Sequence, residues 1–280
     1  MRTALSSAPN SGIASSPRAP HLKTAVILPA YNEAGRITNV LKTVSAARLV
    51  DEIIVVTDGC SDSTADEARG FAALLDKGRV KGAHCQSMQV LELEQNLGKG
   101  GAMTYGAHRT EADVVLFLDA DLMRLKPSQV DAMLEPTLRA NPEERADMTL
   151  GLFQGAPGGP FGWWMNWCHR TAAALTGQRA IRRDVYLAVP ELTRSGFGVE
   201  TAITRYVKYA WKLRVESVNL IGVTHPCKEE KVGVMRGLIH RSQMYSDIAL
   251  YAVVDTLRQN TSLERRRQML QRRNQFSNRG

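Results

Sequence analysis

Four short apolar runs separated by helical stretches fill the first half of the chain, and few folds accommodate that pattern. "TAVILP" (Thr24–Pro29) is closed by a proline, which suits a buried strand. "NEAGRITNVLKTVSAA" follows, with Ile37, Val40, Leu41 and Val44 at helical spacing. "DEIIVVTDG" predicts a second strand and "SDSTADEARGFAALL" a second helix. Ser61 or Asp62 can cap that helix, and acids fill its first turn, where the macrodipole favours them. "MQVLELE" alternates as a half-buried third strand does. "GKGGAMTYGAHRT" opens as a glycine turn and becomes a helix, and "DVVLFLD" is the fourth strand. This order predicts an α/β domain, a mostly parallel sheet with helices on both faces. Such sheets bind ligands beyond the carboxyl ends of their strands, near a switch in strand order. Asn32, Glu33, Asp58, Gly98, Lys99, Asp119 and Asp121 all fall at or just past those ends.

The second half is less regular. "DMTLGLF" reads as a strand, "GAPGGPFG" as a loop, and "WWMNWCHRTAAALTG" and "FGVETAITRYVKYA" as helices. "LRVESVNLIGV" is a strand ending near His225, and the amphipathic segment from Glu229 to Leu257 is a helical extension. Residues 1–22, rich in Ser, Ala and Pro, read as a disordered tail. Residues 23–258 form one domain with a first half over 23–125 and a second over 126–258, and residues 259–280 make a basic tail.

The net charge of +8 favours anionic partners, namely nucleotide phosphates, phospholipid headgroups or nucleic acid. No signature of a nucleic-acid-binding motif occurs, so nucleic acid is not an expected partner. No uncharged apolar run approaches the ~20 residues of a spanning helix. The four cysteines are scattered, without zinc-site spacing, and read as reduced thiols. A cytoplasmic protein is expected, with the charge compatible with a peripheral position on the inner face of a membrane.

The chemistry concentrates at "FLDADL". Residues two apart on a strand share a face, so Asp119 and Asp121 can converge on one ligand. Two unpaired carboxylates are costly, and a divalent cation offsets that cost; hard oxygen ligands suit Mg²⁺ or Mn²⁺ bridging to substrate phosphates. The alternative is that one aspartate caps the next turn or pairs with an arginine. Asp58 can accept hydrogen bonds from a base or ribose, or begin an Asx turn in "DGCSD". Lys99, between Gly98 and Gly100, can neutralise a phosphate that the backbone approaches closely. Neither a P-loop nor G-x-G-x-x-G is present, which argues against a dinucleotide dehydrogenase. In "TGQRAIRR", Gln178, Arg179, Arg182 and Arg183 form a donor-dense loop suited to a phosphate-bearing acceptor.

"VILPAYNEAGRI", "IIVVTDGCSDST", "NLGKGGAMTYG" and "FLDADL" occur in the order seen in family 2 glycosyltransferases of the GT-A fold, and over residues 24–125 the chain resembles them closely. "TGQRAIRRDVY" and "GFGVETAI" extend the resemblance toward residue 207, and the chain is similar to polyprenyl-phosphate sugar transferases and glucosyl-3-phosphoglycerate synthases. The resemblance implies an enzyme using a UDP- or GDP-sugar and Mg²⁺ or Mn²⁺. The nucleoside would be held by Pro29, Ala30, Tyr31, Glu33 and Asp58, and the metal and diphosphate by Asp119 and Asp121. Thr57 stands where a paired acid is commonest. The resemblance also implies a third metal ligand at His225, against a surface histidine before Pro226. It makes Glu200 an acceptor-site carboxylate and, in an inverting enzyme, the general base. Lys228 and Lys231 either meet phosphate or balance Glu229 and Glu230.

Trp163, Trp164 and Trp167 cluster on one predicted helix. Core packing explains them, as does an interfacial helix, since tryptophan prefers the headgroup layer. With the basic charge, the second reading favours a lipid or lipid-phosphate acceptor at a membrane surface over a small soluble phosphorylated one. A nucleotidyltransferase would share the sheet, but it requires a glycine- and arginine-rich loop after the first strand, and "PAYNEAGR" is not that loop.

Overall fold

Alternating side chains along the central strands divide the interior into two apolar layers, one on each face of a single sheet. Val26 and Leu28 of β1 (Thr24–Ala30), Ile53 and Val55 of β2 (Glu52–Asp58), and Val114 and Leu116 of β4 (Val114–Phe117) point to one face. Ile27, Ile54, Val56, Val115 and Phe117 point to the other. The computed structural model describes residues 22–85, 87–154, 176–190, 192 and 199–224. Among these, the remaining strands are β3 (Ser87–Leu93), β5 (Met148–Gln154), β6 (Arg179–Arg182) and β7 (Val215–Ile221).

The seven strands lie in the order β3-β2-β1-β4-β6-β5-β7. β6 runs antiparallel to both β4 and β5, and the other pairings are parallel. The chain builds outward from β1 to β3, then crosses back to set β4 on the other side of β1. The switch in strand order therefore lies between the carboxyl ends of β1 and β4, where a ligand crevice forms.

One face is covered by α1 (Ile37–Ser45), α2 (Thr64–Asp76) and α4 (Pro127–Leu138), through residues such as Leu41, Phe71 and Met133. The opposite face carries α3 (Gly98–His108), α5 (Arg183–Ala188) and α6 (Val199–Thr204), through Met103, Tyr186 and Ile203. From Arg205 to Ala210 the helix widens into a π turn, ending at the fully buried Trp211.

This is the expected mostly parallel α/β architecture, with three local corrections. β4 stops at Phe117, so Asp119 and Asp121 occupy the turn after it and the strand-face argument does not describe them. "RAIR" is a strand, not a loop: Arg179 and Arg182 are 0% and 1% exposed. The second helix is preceded by Ser63 at its N-cap position, while Asp62 accepts the Thr64 N–H. The expected helices over the tryptophan cluster and over Glu229–Leu257, and both tails, lie outside the described residues. No helix among the described residues is long and apolar enough to cross a membrane.

Arg182 meets Asp147 at 2.9 Å in a fully buried pair and spends its other nitrogens on Asp184. Asp147 also accepts the Arg214 N–H, which ties β7 to the sheet. Where the sequence reading expects a substrate contact, the enclosed guanidinium of Arg182 is paired with Asp147 and Asp184 and holds β6 in place. Removing one member leaves a buried charge, so Arg182→Met is expected to cost about 3–5 kcal/mol of unfolding free energy in a denaturant titration.

Candidate active site

Lys99 opens the site. Asp58 at the end of β2 accepts the Leu97 N–H at 2.7 Å, fixing the loop that leads into α3. Gly98 then adopts φ +74°, a left-handed turn open to glycine, and starts the helix. Lys99 leaves this first turn with its ammonium 2.7 Å from Asp119 Oδ1 and 2.7 Å from Glu200 Oε1. Burial alone would lower the Lys99 pKa, but the two carboxylates outweigh it and hold the ammonium above its ordinary value. The Asp58 pKa is raised as well, here by burial, against the Leu97 and Gly98 N–H groups, which lower it.

Asp119 is held from a second side. Gln178 Nε2 donates to Asp119 Oδ2 at 2.7 Å, and the Asp119 N–H donates to Gln178 Oε1 at 3.0 Å. A reciprocal amide clamp of this kind leaves the carboxylate little freedom. Gly177 is required by proximity: a Cβ there would stand 2.5 Å from Lys99 Nζ and 3.1 Å from Asp119 Oδ2. Sequence reasoning passed over Gly177 and assigned Gln178 to the acceptor, whereas the structure places it against Asp119.

The neighbouring wall is built where β1 and β2 end. Asn32, at φ 55°, accepts the Ser61 N–H through its side chain. The Glu33, Ala34 and Gly35 N–H groups donate in turn to Thr64 Oγ1, Asp62 and Glu67. The Glu33 carboxylate meets Arg36 at 3.1 Å. Pro29 and Ala30 lie within β1, and the carbonyl of the buried Ala30 accepts the Cys60 thiol. Tyr31 and Leu97, 53% and 52% exposed, present apolar surface beside these loops.

Asp121 is half-buried in the turn after Asp119. Two residues on, Met123 exchanges both backbone hydrogen bonds with Thr224. That bridge fixes the chain one residue before His225, which itself lies outside the described residues, as do Lys228 and Lys231. No cluster of three or more His, Cys, Asp or Glu side chains suited to a metal occurs among the described residues.

Arg179 is enclosed. It donates to the Glu200 carbonyl at 2.9 Å and to the Thr176 carbonyl, while its Nε has no hydrogen-bond partner. Burial pushes its pKa down to about 10, against the pull of Glu200, Tyr186 and Asp119. Where the sequence reading expects an acceptor contact, the Arg179 side chain is buried and its donors turn to the protein's own carbonyls. Arg183 turns to the Ala107 carbonyl and Glu111, at 2.8 and 3.6 Å.

A basic side chain between two acids, at the switch point of a parallel sheet, sets the stage for comparison with known proteins. The family model described as Glycosyl transferase family 2 matches residues 25–206. The chain belongs to glycosyl transferase family 2. Among curated members, a dolichyl-phosphate beta-glucosyltransferase of Drosophila melanogaster is 36% identical over 111 residues, covering 36% of this chain and 32% of that one. A glucosyl-3-phosphoglycerate synthase of Mycobacterium tuberculosis is 34% identical over 117 residues, 40% of this chain and 33% of the other. The match thus spans about a third of the length of these family 2 relatives. The crystal structure of the Mycobacterium tuberculosis synthase with Mn²⁺, UDP and glucosyl-3-phosphoglycerate superposes with a TM-score of 0.55 at 24% identity, covering 75% of each chain. The form with Mn²⁺, UDP-glucose and phosphoglyceric acid gives 0.58 at 23% identity, over 81% and 79%. These likenesses bear out the GT-A architecture.

Replacing Gln178 with leucine removes both arms of the clamp on Asp119. The expected loss is about 1–3 kcal/mol of stability, read as a lower midpoint in urea unfolding.

Proposed function

We propose that the protein moves a glycosyl unit from a nucleoside-diphosphate sugar to a phosphate-bearing acceptor, and the observation that carries this is the Asp119–Lys99–Glu200 constellation at the switch point. A UDP- or GDP-sugar would lie along the ends of β1 and β2, with its base toward Tyr31, Glu33 and Asp58. Its diphosphate would meet Gly98, Lys99 and the Asp119 turn. The relatives' synthase binds Mn²⁺ or Mg²⁺ with UDP. Here the donor set fits such an ion: two hard carboxylates, Asp119 and Asp121, lie in one turn after β4. Asp119 and Asp121 would hold it, with His225 as the third ligand, and when bound it neutralises charge on the departing diphosphate.

The residues' own contributions follow from geometry. Lys99 supplies a fixed ammonium where the leaving group gains negative charge, stabilisation that needs no rearrangement during reaction. Gln178 keeps Asp119 oriented. Glu200 holds Lys99 and would stand on the acceptor side of it.

The acceptor we favour is a lipid phosphate presented at a membrane surface, on the inner, cytoplasmic face. The name of the Drosophila relative and the net charge of +8 support it. The second reading, a small soluble phosphorylated acceptor, draws on the Mycobacterium tuberculosis synthase, whose crystal structures include a complex with phosphoglyceric acid. The two differ in proton chemistry. A phosphate oxygen is already an anion near neutral pH and needs no base, whereas a hydroxyl must lose its proton to one.

Glu200→Gln, which keeps an oxygen for Lys99, therefore separates them. Transfer to dolichyl phosphate in vesicles should lose only what the weaker hold on Lys99 costs, far less than transfer to 3-phosphoglycerate, which should fall by about 10²–10⁴-fold. For the donor site, Asp121→Ala is expected to abolish Mn²⁺-dependent binding of UDP- or GDP-glucose in calorimetry. Unchanged affinity would overturn the metal assignment.

A further inference from the structure

Arg179 belongs to neither half of the site, yet it touches the backbone of both. Its Nη2 donates to the carbonyl of Thr176, the residue that leads into Gly177 and Gln178 and so into the clamp on Asp119. Its Nη1 donates to the carbonyl of Glu200, 2.9 Å away, and lies 3.5 Å from Thr204 Oγ1, which itself donates to the same carbonyl at 3.0 Å. No carboxylate pairs with this guanidinium among the described residues, and it is 0% exposed.

A cation buried on these terms is a poor source of stability. Desolvating it costs several kcal/mol, and a well-packed apolar side chain of similar volume commonly does as well or better. What the guanidinium supplies instead is a rigid planar fork that reaches two carbonyls at once, which an ammonium cannot reproduce. The helix it grips needs such an anchor, because α6 is six residues long and gives way to a π turn at Arg205.

We propose that Arg179 is a positioning residue for glycosyl transfer: by holding the Thr176 and Glu200 carbonyls together, it fixes the separation at which Lys99 bridges Asp119 and Glu200. Donor-side and acceptor-side carboxylates are thereby set in one rigid frame. The inference rests on the transfer reading above and assigns Arg179 no contact with substrate.

The test compares wild type, Arg179→Lys and Thr204→Val as full-length proteins. Readouts are UDP affinity with Mn²⁺ by calorimetry, the unfolding midpoint, and kcat and KM for UDP-glucose with dolichyl phosphate or 3-phosphoglycerate, whichever wild type uses. Displacing a positioned group by an ångström costs about 10²-fold in rate. Arg179→Lys is therefore expected to lower kcat by that order, with KM for UDP-glucose and UDP affinity within a few fold of wild type. Thr204→Val, which removes the hydroxyl sharing the Glu200 carbonyl, should lower kcat in the same sense by less, and it carries the test if the lysine variant does not fold. A lower unfolding midpoint with unchanged kcat per folded molecule overturns the inference, as does a loss confined to UDP affinity. Wild-type protein that neither binds UDP with Mn²⁺ nor turns over UDP-glucose brings down the transfer reading itself, and this inference with it. An active wild type with unimpaired variants overturns only the role of Arg179.

Discussion

A single ammonium shared by two carboxylates organises the site. Lys99 stands 2.7 Å from both Asp119 and Glu200, which come from the turn after β4 and from the start of α6. These partners are 20 and 101 residues away in sequence, so only the finished sheet brings them together. Each participant is fixed from behind: Lys99 through Asp58 and the Gly98 turn, Asp119 through Gln178, and Glu200 through Arg179. The chemistry depends on this enclosure, since electrostatic interactions gain strength as water is excluded.

On the proposed function, the same arrangement would let the site take up a dication. Two acids in one turn repel each other, and the lysine offsets part of that repulsion at Asp119. A metal bound with a diphosphate would bring its own charges, and Lys99 could then meet phosphate oxygens as well as carboxylates. In that reading the ammonium is counter-ion to the protein first and would be counter-ion to the leaving group afterwards.

Much of this was legible in the sequence because strands buried on both faces read as uninterrupted apolar runs. "TAVILP", "EIIVV" and "VVLF" became β1, β2 and β4, and the residues closing them marked the crevice. β6 was not legible. Its four residues include two arginines, which composition assigns to a solvated loop, whereas partners such as Asp147, Asp184 and two backbone carbonyls allow them inside. The clamp of Gln178 on Asp119 was hidden for a similar reason: its partners are 59 residues apart, and the only local sign is the adjacent Gly177. Long-range polar pairing leaves no periodicity to read.

The central claim is that the turn carrying Asp119 and Asp121 binds the metal-diphosphate end of a sugar nucleotide beside Lys99. A crystal structure of the protein soaked with UDP-glucose and Mn²⁺, with the manganese located by anomalous scattering, tests it most directly. The account predicts manganese coordinated by both aspartates and the diphosphate, with Lys99 Nζ in hydrogen-bond reach of a phosphate oxygen. Manganese absent from that turn, with Asp119 still held by Lys99 and Gln178 while the nucleotide sits elsewhere, would contradict it.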